Sequence, residues 1–137
     1  EEAAAPKAHA TLTRALALKS DDAETLAFLG TVERLTKRER EGIAHMTKAR
    51  QLDPTNIGVL GLLSGFGDVS AMEQLRAMPE FPAMSDHGRQ RVLLGLGKDR
   101  AHRGKPAEAR ALFTEGLAIN KDTREARLLA AELQRLK

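Results

Sequence analysis

The sequence contains no cysteine, no tryptophan and no tyrosine, and it has only four phenylalanines. Without cysteine there is no disulfide framework, no thiolate zinc site and no thiol nucleophile. The scarcity of aromatic residues argues against β-sandwiches and β-barrels, whose strands are rich in aromatic and β-branched side chains. The core must instead be built from Leu, Ala, Ile, Val and Met, and such cores are usually helical.

Two further absences bear on the kind of partner. No apolar run approaches the roughly 20 residues that a membrane-spanning helix needs, so we expect no membrane span. The 22 basic and 19 acidic residues are scattered along the chain. Because nucleic-acid binding needs a basic stripe or patch, we expect no nucleic-acid partner. The richness in Ala, Leu and Arg suggests a bacterial protein, and it leaves the compartment open between cytoplasm and periplasm.

What the sequence does contain is an internal repeat with a period close to 34 residues. One unit runs over 23–56 and a second over 90–123, and the two agree residue class by residue class. The matching positions are Leu26, Leu29, Gly30, Gly42, Met46 and Ala49 in the first unit, and Leu93, Leu96, Gly97, Ala109, Phe113 and Gly116 in the second.

This spacing resembles the tetratricopeptide repeat family, whose pattern places large apolar residues, Leu-Gly, Ala, aromatic residues and Pro at fixed intervals. The resemblance implies an all-α fold in which about eight helices form antiparallel pairs stacked into a right-handed superhelix. Gly30 and Gly42 are then expected where paired helices approach closely, with Met46 filling the space between them. Glu33 and Arg100 depart from the pattern, because they stand where the family usually has an aromatic residue.

We interpret 1–137 as a single domain of this kind, in which the middle repeat is degenerate. In the middle repeat, Asp68 and Ser70 are candidate helix caps, with Glu73 completing a Ser-x-x-Glu capping box. Two prolines then forbid helix continuation, so we expect an extended connector before Ser85 or Asp86 begins the next helix. The predicted parts are a half repeat over 6–22, a repeat over 23–56, a degenerate repeat over 57–89, a repeat over 90–123 and a capping helix over 124–137.

No motif in the sequence indicates catalysis. The four histidines, His9, His45, His87 and His102, include no two at the spacings that build a metal site on a helix. We therefore expect ordinary surface or edge histidines, no metal, no cofactor and no enzymatic activity.

The resemblance implies that the first helix of each hairpin lines a concave groove that binds a protein or peptide partner. The polar residues expected to project toward it are Thr31, Arg34, Arg91, Lys98, His102 and Arg135, and their mildly basic character suggests an acidic or polar peptide. Gly58, Gly61 and Gly65 recur at i, i+3 and i+7, which leaves one helical face without side chains. Either a partner lies closely against that face, or neighbouring helices pack there, or the segment is locally flexible.

The leading hypothesis for function is a protein-interaction module with a scaffold or adaptor role. A second interpretation rests on the segments 72–75, 94–98 and 104–109. They resemble the helical arrays that precede some bacterial sulfotransferase domains, which implies that the chain is the non-catalytic portion of a larger enzyme. A third is an assembly factor of a bacterial secretion, pilus or envelope system. In that case the apolar stripe of Ala8, Leu12, Ala15 and Leu16, which lacks a hairpin partner, is a candidate edge for a homodimer.

Overall fold

The computed structural model describes residues 4–18 and 22–136, except for the side chains of residues 16–18. Within these residues there are eight α-helices, one short 3₁₀ helix and no strand, so the predicted all-α fold is confirmed. The α-helices are α1 (Ala4–Leu18), α2 (Ala23–Leu35), α3 (Glu39–Leu52), α4 (Ile57–Gly65), α5 (Val69–Ala77), α6 (Asp86–His102), α7 (Pro106–Ile119) and α8 (Arg124–Arg135); the 3₁₀ helix is Phe81–Ala83.

The chain divides into two compact units, Glu1–Leu63 and Ser64–Lys137. The boundary falls within α4, inside the segment that the repeat pattern marks as degenerate. Both the single domain over 1–137 and the right-handed superhelix stay predictions.

In the first unit, α2 packs against both α1 and α3. The α2–α3 pair is the hairpin expected for 23–56, and its helices meet at two glycines. A Cβ at Gly42 would lie 2.7 Å from the carbonyl oxygen of Gly30, and a Cβ at Gly30 would lie 2.7 Å from that of Gly42. Met46 is buried beside them. The predicted close approach is therefore confirmed, and any larger residue at these two positions would push backbone against backbone.

The N-terminal helix α1 packs against α2. Along its predicted apolar stripe, Ala8 and Leu12 are half-buried and Ala15 is exposed. The side chain of Leu16 lies outside the described residues. A homodimer through this edge stays a prediction.

In the second unit, α6 packs against α5, α7 and α8, and α8 packs against α7 as well. The α6–α7 hairpin repeats the arrangement of α2–α3, with a larger side chain between its helices. A Cβ at Gly97 would overlap the ring of Phe113, which fills the place that Met46 occupies in the first hairpin. The core of this unit includes Leu94, Ala109, Phe113 and Leu129.

The turns of the two hairpins share one backbone conformation. Lys37 (φ 65°) and Gly104 (φ 75°) occupy the same turn position, in the left-handed region. The next residue in each turn closes the helix with a bond five residues back: the N–H of Arg38 donates to the carbonyl of Glu33 at 2.8 Å, and that of Lys105 donates to Arg100 at 2.9 Å. This is the Schellman pattern, for which glycine is the usual residue. Lys37 is therefore the strained member of the pair.

The degenerate segment differs from its prediction in two details. Asp68 caps α5 by accepting a hydrogen bond from the N–H of Ala71 at 2.9 Å, which places Ser70 inside the helix. The Ser70–Glu73 capping box is therefore wrong, and Glu73 instead pairs with Arg100. The connector before α6 is not wholly extended, because Phe81 is buried and begins the 3₁₀ helix.

A buried polar node joins α6, α7 and α8. Gln90 is fully buried, and its Nε2 donates to the carbonyl oxygens of Gly116 at 2.9 Å and Asn120 at 2.8 Å. The hydroxyl of Thr123 donates to Gln90 Oε1 at 2.6 Å and accepts from the N–H of Ala126 at 3.0 Å, which caps α8. One amide side chain thus connects the end of α7 to the beginning of α8.

Candidate partner-binding surface

Three of the predicted binding residues lie together on the outward face of α6. Arg91, Lys98 and His102 are spaced at i, i+7 and i+11, which places them on one side of a helix with 3.6 residues per turn. All three are exposed, while Leu93 and Leu96 on the opposite side are buried. The helix begins at a cap in which Ser85 Oγ accepts from the N–H of Gly88 at 3.0 Å.

These three residues differ in how they are engaged. The Nε of Arg91 donates to Glu125 Oε2 on α8 at 3.1 Å, although the Arg91 side chain is 71% exposed. Lys98 and His102 form no ion pair or hydrogen bond through their side chains with any residue that the structure describes. They are therefore free to contact another molecule without breaking an internal bond.

Glu125 is a nearly buried carboxylate that anchors this edge of the surface. Its side chain is 6% exposed, and His87 Nδ1 lies 2.6 Å from its second oxygen. Burial alone would raise the pKa of Glu125, but hydrogen bonds from His87, its own backbone N–H and Arg91 lower that pKa to about 2. Glu125 therefore stays ionised and holds α8 to α6 through charge-assisted hydrogen bonds.

Arg135, the fourth basic residue predicted for the groove, lies on α8 in the same unit as α6. It is 76% exposed at the side chain and pairs with Glu132, one helical turn earlier, at 3.0 Å. An exposed pair of this kind contributes little to stability. Its guanidinium can therefore be shared with a partner at small cost.

The two predicted residues on α2 are directed differently. The hydroxyl of Thr31 donates to the carbonyl of Ala27 within its own helix at 2.9 Å. Arg34 extends over α3, where it pairs with Glu39 at 3.0 Å and contacts the sulfur of Met46 at 3.9 Å. Since the Arg34 side chain is only 19% exposed, it serves mainly to bind α2 to α3.

The glycine face of α4 is open at two of its three positions. A Cβ at Gly58 would contact Asn56 at 3.2 Å and Glu24 at 3.4 Å, whereas a Cβ at Gly61 or Gly65 would meet no described atom within 4 Å. Close helix packing therefore does not require glycine at Gly61 or Gly65. Whether a partner uses this face stays a prediction.

Sequence reasoning missed that three of the four histidines surround two buried glutamates. His87 contacts Glu125, as described above. Glu33 on α2 is also buried, and His45 Nδ1 lies 2.5 Å and His9 Nε2 3.3 Å from its two carboxylate oxygens. The missed signal was Glu33 itself. A carboxylate at a position where the family pattern buries an aromatic residue demands hydrogen-bond donors nearby, and the histidines supply them.

A shallow cleft on the second unit offers less to a ligand. It has a volume of about 370 Å³ and is lined by Glu73, Arg76, Ala77, Phe81 and Glu115. Arg76 and Glu115 form an ion pair at 2.6 Å across it, so its charged groups are already used within the unit. In the part of the chain that the structure describes, no group of three or more His, Asp or Glu residues is arranged to hold a metal ion.

Across residues 4–18 and 22–136, no helix combines the length and the apolar character needed to cross a membrane. A scan of the sequence against protein-family models gives no match, and neither does a search of curated proteins. The likeness to tetratricopeptide repeats accordingly rests on the residue pattern and on the helix pairs described above.

Proposed function

We propose that the chain is a protein-interaction module, an adaptor or scaffold without catalytic activity, which holds a protein or peptide partner on the outward face of α6. One observation carries the proposal. Lys98 and His102 are exposed, share that face with Arg91 and are engaged by no described residue. Polar groups that are exposed and unengaged on a well-packed helix are available for recognition at no internal cost.

The scaffold behind this face supports the proposal, because it is closely packed. Leu93, Leu96 and Gln90 are fully buried on the other side of α6, and Gln90 ties the helix to both α7 and α8. A surface held in place before binding loses less free energy to ordering when a partner arrives. The resemblance to stacked helical hairpins adds to this, since such arrays usually act by recognition.

The charge of the face favours an acidic or polar peptide. Arg91, Lys98 and Arg135 are basic, and the acidic groups Asp99, Glu125 and Glu132 are already paired with arginines. Complementary charge on a partner would speed its association and select against basic segments. The first unit contributes only Thr31 and the open position Gly61 as further candidates, and Gly65, which is also open, belongs to the second unit.

A peptide-array screen tests the proposal with a matched pair of variants. Lys98→Ala removes a positive charge from the α6 face, and Lys121→Ala removes one from the exposed α7–α8 turn of the same unit. We expect the native chain and Lys121→Ala to bind the same acidic peptides, while Lys98→Ala, and more strongly Lys98→Ala combined with His102→Ala, loses them. Unchanged binding by the double variant, with an unchanged circular dichroism spectrum, would contradict the proposal.

A further inference from the structure

The outward face of α8 carries three arginines around an exposed leucine. This helix buries Ala126 and Leu129 on its inner side. On the opposite side, five residues recur at i, i+3, i+4, i+7 and i+11, so they share one face. We call this surface the arginine face; it consists of Arg124, Arg127, Leu128, Ala131 and Arg135, all of them exposed.

Among residues 4–18 and 22–136, a single exposed ion pair is the only compensation for the charge of the arginine face. The side chains of Arg124 and Arg127 pair with no residue that the structure describes, and Arg135 has only its exposed pair with Glu132. The other acid of the helix, Glu125, is turned inward to His87 and Arg91. The face itself contains no carboxylate. It therefore offers guanidinium groups that lack a strong internal partner.

The positions of Arg124 and Arg127 argue against a merely solvated surface. Both lie within the first four residues of α8, where the helix dipole disfavours cations by about 0.3–1 kcal/mol each. A surface selected only for solubility and helix stability would place exposed acidic side chains there, whereas the acidic residue in the first turn of α8, Glu125, is turned inward. A binding role for negative charge explains why arginines stand at these positions.

Leu128, which is 43% exposed, and Ala131 lie between the arginines. From these observations we infer that the arginine face docks an acidic amphipathic peptide segment, and this rests on the proposal that the chain is a protein-interaction module. Carboxylates of the segment pair with the flanking arginines, and an apolar side chain covers Leu128 and Ala131.

The arginine face extends over 11 residue steps, about 16 Å, or three helical turns. A nucleic-acid backbone fits less well, since its phosphates would leave the central apolar area uncovered.

Fluorescence anisotropy on the full chain tests this inference. The probe is a labelled synthetic helix-forming peptide with glutamates flanking a central pair of leucines on one face, compared with a scrambled peptide of the same composition. We expect Arg124→Ala combined with Arg127→Ala to weaken binding of the amphipathic peptide about tenfold, and Leu128→Ser to weaken it as well. Arg40→Ala combined with Lys48→Ala removes the same charge from exposed positions of α3 and should leave binding within about twofold.

Several results would overturn the inference. One is equal binding of the scrambled peptide, and another is an equal loss with the α3 control, since either means that only net charge is sensed. Tighter binding of a single-stranded oligonucleotide would indicate a nucleic-acid surface, and a dimer in sedimentation equilibrium that Leu128→Ser dissociates would indicate a second copy of the chain. Peptide binding that is insensitive to Arg124 and Arg127, in a protein that still captures partners through Lys98, rejects the α8 assignment alone. Arg124→Ala should also keep or slightly raise the thermal midpoint, so a loss of binding cannot be ascribed to unfolding.

Discussion

Replacing Gln90 by leucine should destabilise the second unit far more than its modest change in shape suggests. The substitution keeps approximate volume but removes the amide that donates to Gly116 and Asn120 and accepts from Thr123. Each buried group left without a partner costs about 1–3 kcal/mol. Because carbonyl oxygens and a hydroxyl can partly relax, we expect a total loss of about 3–5 kcal/mol, which is a large part of the 5–15 kcal/mol typical of a domain. Urea unfolding followed by far-ultraviolet circular dichroism measures this loss, and amide hydrogen exchange in α7 and α8 should locate it in the second unit.

A double-mutant cycle with Thr123→Val separates the hydrogen bond from packing. Thr123→Val should be destabilising by itself, because it removes the α8 cap as well as the donor to Gln90 Oε1. In the double variant that donor and its acceptor are both gone, so the combined loss should be smaller than the sum of the two. Thr123→Ser keeps the hydroxyl and serves as the control. A loss below about 1 kcal/mol for Gln90→Leu, or strictly additive losses, would refute this account of the node.

Three further predictions concern stability and use the same unfolding measurement. Gly42→Ala should destabilise the fold by about 2 kcal/mol or more, because the new Cβ meets the carbonyl of Gly30. Gly61→Ala should stabilise it by about 1 kcal/mol, because there the new Cβ meets no described atom within 4 Å. Similar effects at both sites would show that the α2–α3 approach is looser than described. Lys37→Gly should stabilise the fold by about 1 kcal/mol, because glycine adopts the left-handed backbone conformation of this turn without strain. Destabilisation would contradict the assigned turn. The pKa of Glu125 is lowered from 4.5 to about 2, so below pH 4.5 the unfolded chain binds a proton that the folded chain does not. The contribution of Glu125 to the free energy of unfolding is therefore complete above pH 4.5 and is lost as the pH falls toward 2. Glu125→Gln should flatten this dependence of stability on pH, and an unchanged acid profile would count against the ion-pair assignment.

The parts of the fold that could be predicted from the sequence are those that depend on side-chain volume and helix periodicity. Gly30, Gly42 and Met46 are positioned by the requirement that two helices approach closely, and the same classes recur at Gly97, Ala109 and Phe113. Helix pairs follow directly from such a pattern.

The details that could not be predicted depend on which of several equivalent polar groups is nearest. Asp68 and Ser70 both favour the cap position, and only the chain geometry decides that Asp68 reaches Ala71. The pairing of Glu33 with His9 and His45 joins three helices, so no local spacing reveals it. For the candidate surface, the resemblance predicted that Arg91, Lys98 and His102 project toward a groove. The structure finds all three exposed on one face of α6, and the groove itself stays a prediction. The sequence could not show that Arg34 is engaged by α3.

Hydrogen bonds are directional, whereas apolar contacts tolerate sliding by a fraction of a helical turn. The amide of Gln90 therefore sets the axial position of α8 relative to α6, in addition to stabilising their junction. The backbones that carry Arg91 and Lys98 on α6 and Arg135 on α8 are thereby held in one axial register. A ligand that contacts both helices would be selected by how well the spacing of its acidic groups matches the spacing of these basic positions.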